Sequence, residues 1–296
     1  MNGVFYGREG LRAGWRVLVF IVLYFLLDWA TNALWNRFAS LSTTPPIPSY
    51  VAIIRESSAL LVVLCTTWLM ARMEGRRFAS FGYESDHRIG RIFFGIAWGF
   101  LSLSVLVGLM WMGGFLIFQG ISLHGSIAWR EAAVWALVFL MIGILEESVF
   151  RGYLQHTLSG SIGFWWAAFV VSGAFILWHT RNEGETVLGL LSTGAGSLAF
   201  SLSLWYTRSL WWAIGFHAGW DWGQSYFYGT PDSGKVTQGH LLSTRASGSP
   251  LWSGGTVGPE GSAFLLPLLL LLILGMWLWW GVLKKGIARR SPEIDA

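Results

Sequence analysis

Three of the long apolar stretches of this chain carry a concentrated set of five ionisable side chains: Glu146 and Glu147, then His179, then His217 and Asp221. An ionisable group in hydrocarbon costs at least about 2.5–3.5 kcal/mol, so it marks a function or a buried partner. Helical spacing sorts the five. Glu147 and Arg151 are four residues apart, share a helix face and can pair. Glu146 is turned about 100° from Glu147, and the position four residues on, where a basic partner would sit, is Phe150. The expectation is therefore a structural ion pair, Glu147 with Arg151, beside an unpaired carboxyl at Glu146 placed for general-base work. His217 and Asp221 repeat the four-residue step, so the carboxylate can hold the imidazole. His179 follows Phe175 by the same step, and both point one way.

The elements carrying these groups are apolar enough to be membrane spans. Of the 296 residues, 54% are hydrophobic and 12% charged, about half the charge of an ordinary soluble domain. A bilayer core takes about 20 apolar residues as helix. Eight runs qualify or nearly so: Trp15 to Trp35, Tyr50 to Ala71, Ile92 to Phe118, Ala132 to Leu154, Phe164 to Thr180, Thr186 to Tyr206, Trp211 to Phe227 and Ala263 to Leu283. The expected fold is all-α: one polytopic membrane domain over residues 1–296, about eight transmembrane helices, an intramembrane site and a catalytic core near 134–227. Cys65 is the one cysteine, so no internal disulfide forms. The net charge of +4 comes from short loops rather than a basic groove, which argues against a nucleic-acid partner. With eight spans, fourteen of the 20 Lys and Arg residues collect on the side of the termini, against Arg37, Arg130, Arg181, Lys235 and Arg245 on the other. The positive-inside rule then places both termini in the cytoplasm. The charged segment Met73 to Gly90 reads as a cytoplasmic surface element. The Gly-, Ser- and Thr-rich segment Gly229 to Gly261 reads as a long outer loop, mobile or lid-like. Asp28 and Glu56 read as helix–helix hydrogen-bonding groups near span ends.

Three short patterns carry a family resemblance. Glu146-Glu147-Ser148-Val149-Phe150-Arg151 resembles the EExxxR motif of the CAAX protease and bacteriocin-processing (CPBP, or Abi) family. Phe175-Ile176-Leu177-Trp178-His179 is similar to its FxxxH motif, and His217-Ala218-Gly219-Trp220-Asp221 to its HxxxN/D motif. Order and spacing match across Val134 to Phe227. Gly258-Pro259-Glu260-Gly261 resembles bacterial members more weakly. The resemblance implies an intramembrane endopeptidase related to the type II CAAX prenyl endopeptidase, in which Glu146 and His179 activate water while His217 and Asp221 stabilise the oxyanion. Glu147, Arg151 and Phe175 are then supporting residues. Asp221 stands where the eukaryotic pattern has Asn. An ionised Asp donates no hydrogen bond, so either Asp221 is protonated or it orients His217, which donates alone. The second is the working expectation.

The same residues leave rival functions to weigh. Zinc held by Glu146, His179 and His217 would make a metalloprotease, but HExxH is absent and the resemblance favours a mechanism with no cofactor. An immunity or scaffold protein needs no unpaired buried Glu146. A transporter is disfavoured by the lack of paired repeats. The expected partners are the lipid bilayer and a peptide or membrane-anchored protein substrate. The expected location is a bacterial inner membrane. Oligomeric state is not legible in the sequence.

Overall fold

The computed structural model describes residues 6–7, 10–38, 46–182 and 184–283. The chain is an all-α polytopic membrane protein. Its long helices are α1 (Ala13–Phe38), α2 (Ser49–Met73), α3 (Arg88–Met112) and α4 (Gly125–Glu147). A π-helical stretch, Ser148–Gln155, joins α4 to α5 (His156–Ile162). Then come α6 (Phe164–His179), α7 (Val187–Thr207) and α8 (Trp211–Asp221), which a π-helical stretch prolongs to Phe227. The last span, α10, covers Leu265–Met276 and continues as π helix to Leu283, preceded by a single turn α9 (Pro250–Ser253). Strands are few. β1 (Tyr6–Gly7) pairs with β2 (Gly10–Leu11), and β3 (Leu116–Ile121) pairs antiparallel with β4 (Leu242–Ala246), Leu116 opposite Ala246.

Among the described residues six helices are long and apolar enough to cross a bilayer. The other two expected spans form helices at the expected places but are shorter. The 16 residues of α6 reach about 24 Å at 1.5 Å per residue, below the roughly 30 Å of a hydrocarbon core. The central helix α8 is sheathed by protein rather than lipid, with Trp212 to Phe216 and Ala218 to Asp221 buried. Two further boundaries differ. The third run ends at Met112, and Leu116 to Phe118 are strand. The fourth runs without a break from Gly125 to Ile162, two turns past the expected end. The segment 73–90 is not merely a surface element, because Phe81 is fully buried and Tyr83 nearly so. Arg8, Lys284, Lys285, Arg289 and Arg290, which contribute to the charge bias, lie outside the described residues.

Small residues bring α8 to its neighbours. Gly95 and Gly99 of α3 interleave with Gly215 and Gly219 of α8. A Cβ at Gly99 would overlap the carbonyl oxygen of Phe216, and one at Gly219 would overlap that of Ile96. On the other side, a Cβ at Gly143 of α4 would fall 2.9 Å from the Ile214 carbonyl oxygen. Lipid is as apolar as leucine, so close backbone approach and dispersion drive this packing rather than a hydrophobic effect between helices. The result fixes the rotation of α8, and hence where His217 and Asp221 point. Gly99→Val is expected to cost about 3 kcal/mol through overpacking, whereas Gly108→Ala, which meets open space, should be neutral or stabilising. Thermal unfolding in detergent tests this, and equal stability of both variants would contradict the packing argument.

Candidate active site

The EExxxR residues stand at the junction of α4 and its π-helical continuation. The expected ion pair forms: Arg151 Nη1 donates to Glu147 Oε1 at 3.1 Å, and both side chains are wholly buried. The remaining faces of the guanidinium are covered by rings. Its carbon lies 4.7 Å from the centroid of Phe175, 5.3 Å from Phe200 and 5.9 Å from Phe150. Such contacts stabilise a desolvated cation through the ring quadrupole. Two of these rings reach the histidines. Phe175 is 4.4 Å from the His179 ring, and Phe200 stacks on His217 at 5.6 Å. One arginine thus sits between two aromatic rings that each back a histidine.

His217 is the hub of the polar cluster. Its Nδ1 lies 3.3 Å from Glu147 Oε1, and its Nε2 lies 3.6 Å from both Glu146 Oε2 and Asp221 Oδ2. The Asp221 contact is the one expected from spacing. The other two correct the sequence reading: Glu146 is not isolated, since His217 faces it, and Glu147 serves the histidine as well as Arg151. Glu146 Oε2 is buried and accepts no hydrogen bond, so it retains a lone pair for a ligand. His179 Nδ1 lies 2.9 Å from the Phe175 carbonyl oxygen. A carbonyl only accepts, so Nδ1 carries the proton and a neutral ring leaves Nε2 as a free acceptor.

Glu146, His179, His217 and Asp221 all line one cavity of about 550 Å³. The α4 helix continues to Ile162, which sets Glu146 near the middle of a longer rod. Arg55, Arg181 and Lys235 also line the cavity and are exposed.

The segment that reads as a long, lid-like outer loop forms the roof of this cavity, and its site residues were not foreseen. The segment 229–261 folds into a hydrogen-bonded cap held by β4, by Gln238 N–H on Ile47 O and by Trp135 on Gln238 O. Asp232, Ser233 and Glu260 from the cap line the cavity. Ser233 takes a left-handed backbone at φ 46° and gives both its N–H and its O–H to Glu260 Oε2, at 3.1 and 2.9 Å. Burial, reinforced by the neighbouring Asp232 carboxylate, pushes Glu260 up to about 8. Glu56 also lines the cavity rather than bonding another helix. Phe200 and Ser192 of α7 complete the missed set. The lid-like reading of Gly229 to Gly261, the polar Glu56 and the Gly258–Gly261 resemblance were the hints in the sequence.

The same donors bear on zinc. Among the described residues, no three His, Cys, Asp or Glu side chains are grouped to hold a metal ion, so no step is routed through one. Removing one partner of the buried pair gives a direct test of its role. Arg151→Leu strands the Glu147 carboxylate and should cost about 3–5 kcal/mol, while the double change Glu147→Leu, Arg151→Leu should cost less than the single. Unfolding in detergent measures both, and a double variant weaker than the single would remove the ion pair from this account.

Comparison with known proteins falls on the same stretch of chain. Residues 128–223 match the family model described as type II CAAX prenyl endopeptidase Rce1-like. No curated protein matches the chain. The matched segment carries Glu146, Glu147, Arg151, Phe175, His179, His217 and Asp221 together, and this stretch of the membrane protein is similar to the Rce1-like, type II CAAX prenyl endopeptidase family.

Proposed function

We propose that the chain is an intramembrane endopeptidase that hydrolyses membrane-associated or CAAX-like protein or peptide substrates with water activated by Glu146 and His179. The observation that carries this reading is the convergence of Glu146, His179, His217 and Asp221 on one cavity, all four within the segment similar to a family of proteases. Peptide hydrolysis needs a base for water and donors aimed where negative charge develops. In the proposed reaction Glu146 takes a proton from a water that His179 Nε2 also orients. The oxygen attacks the scissile carbonyl carbon, and the oxyanion receives the His217 N–H. The C–N bond then breaks as the proton held by Glu146 passes to the leaving amine. Asp221, 3.6 Å from His217, holds the donor ring rather than donating itself. No cofactor takes part. The Arg151–Phe175 and Arg151–Phe200 contacts keep both rings in place.

The proposal extends to setting. The charge bias of the loops supports termini in the cytoplasm and a cap on the outer face of a bacterial inner membrane. The partners are lipid and a peptide or membrane-anchored protein, with no nucleic acid.

Purified protein in detergent should cleave peptides, and Glu146→Gln should lower turnover by about 10²–10⁴. A chelator should leave wild-type cleavage unchanged, and cleavage lost on chelation and restored by added zinc would replace this mechanism with a metal-dependent one. Asp221→Asn should stay within roughly tenfold of wild type, while Asp221→Ala falls by about 10²–10³, as for loss of an oxyanion donor. Equal losses in the two Asp221 variants would argue against an orienting role.

A further inference from the structure

The cavity has two unlike walls. One, from α4, α6 and α8, carries the residues assigned to hydrolysis. The other is the cap, outside the matched segment 128–223, and it presents Asp232 and Glu260. Among the described residues, Asp232 accepts only the Ser225 hydroxyl among side chains, at 3.1 Å, and Glu260 is held only by Ser233. Neither is ion-paired with a Lys or Arg among the described residues. The cations that line the cavity, Arg55, Arg181 and Lys235, are exposed, where solvent screens them, and Lys235 acts on Asp232 through space without an ion pair. Asp232 and Glu260 are less exposed than these cations.

A second, independent feature lies on the same cavity. Ser192 of α7 is 3% exposed, and its Oγ has no hydrogen-bond partner. Helical hydroxyls commonly return to the carbonyl four residues back, as Thr66 and Ser201 do here. Ser192 does not, although it lines the cavity. The helix that carries it packs on the Pro259–Gly261 turn that carries Glu260. A buried hydroxyl without a partner is satisfied when a ligand supplies one.

We propose that the cap wall is a subsite for a cationic group of the substrate, a guanidinium or ammonium on a basic residue close to the scissile bond, held by Asp232 and Glu260 with the Ser192 hydroxyl accepting a further N–H. The inference rests on the endopeptidase reading and names its substrate class. A branched set of N–H donors suits the site better than a point ion, because no three carboxylate or histidine groups converge as metal ligands among the described residues. Guanidinium offers five donors in a fixed fork, enough for separated acceptors. The incoming cation replaces the proton that burial keeps on Glu260.

Two measurements on the full-length protein in non-ionic detergent decide it. The first is binding: hexylguanidinium should raise the melting temperature where hexanol at equal concentration does not, and the difference should vanish in Asp232→Asn, Glu260→Gln. The second is cleavage of peptide pairs in which arginine is exchanged for its neutral isostere citrulline at each position within four residues of the cut. At one position the kcat/KM ratio should favour arginine by roughly tenfold or more, the size expected of a buried charge contact, and should approach one in the double variant. Wild type that cleaves both members of every pair equally, or that is stabilised alike by hexanol and hexylguanidinium, overturns the subsite while leaving the protease reading intact. Wild type that cleaves no peptide counts against the protease reading, and the binding arm then still decides the subsite. If the double variant does not fold, Glu260→Gln and Ser192→Ala singly should each reduce the guanidinium shift, and an undiminished shift in both overturns it.

Discussion

The fully buried contact between Arg151 and Glu147 is the constraint on which the site depends. A guanidinium in the interior of a membrane protein is tolerable only when its charge is met and its faces are covered. Here one carboxylate meets the charge, and Phe150, Phe175 and Phe200 cover the faces. The two needs draw α4, α6 and α7 together around one point. Each helix delivers something to the cavity in consequence: Glu146 from α4, His179 behind Phe175 from α6, and the ring that backs His217 from α7. The carboxylate that neutralises the arginine also touches His217, so α8 joins the same centre. A junction between α and π geometry at this spot is in keeping with the frequent use of π turns at functional sites.

Helix packing supplies the second condition. Glycines on α3, α4 and α8 allow backbones to meet where side chains would hold them apart. That leaves α8 encased by protein, and its His217 and Asp221 face the cavity rather than lipid. The shortness of α6 follows the same logic. Its C-terminal end stops at His179, half-buried beside the cavity and next to the exposed Thr180 and Arg181.

What the sequence made legible was local. Glu147 with Arg151, His217 with Asp221, and Phe175 with His179 are all four-residue steps, and a helix turns such steps into contacts by its own geometry. Six long helices were equally plain from apolar run length. What escaped was every contact between distant pieces of chain. Phe200 and Ser192 look like ordinary residues of an apolar helix, and nothing in their spacing points to Arg151 or to Glu260. The nearness of Glu146 to His217 depends on the rotation set by Gly143, which no periodicity reveals. The cap reads as a loop because its strand, β4, is short and its partner, β3, was counted into a membrane span. The end of the fourth helix was misplaced because Arg151 and Gln155 look like an exit from the membrane, whereas both are buried in protein.

The pairing of β3 with β4 has a consequence for how this molecule is put together. Leu116 and Ala246 face each other across the sheet, yet the whole family-matched segment, 128–223, lies between them in sequence. The roof of the cavity is thus clasped by chain from before and after the part shared with the family. A fragment trimmed to the shared boundaries would keep the residues proposed for hydrolysis and lose the wall that faces them. The two walls of the cavity come from different stretches of one chain, and a sequence comparison confined to the first is silent about the second.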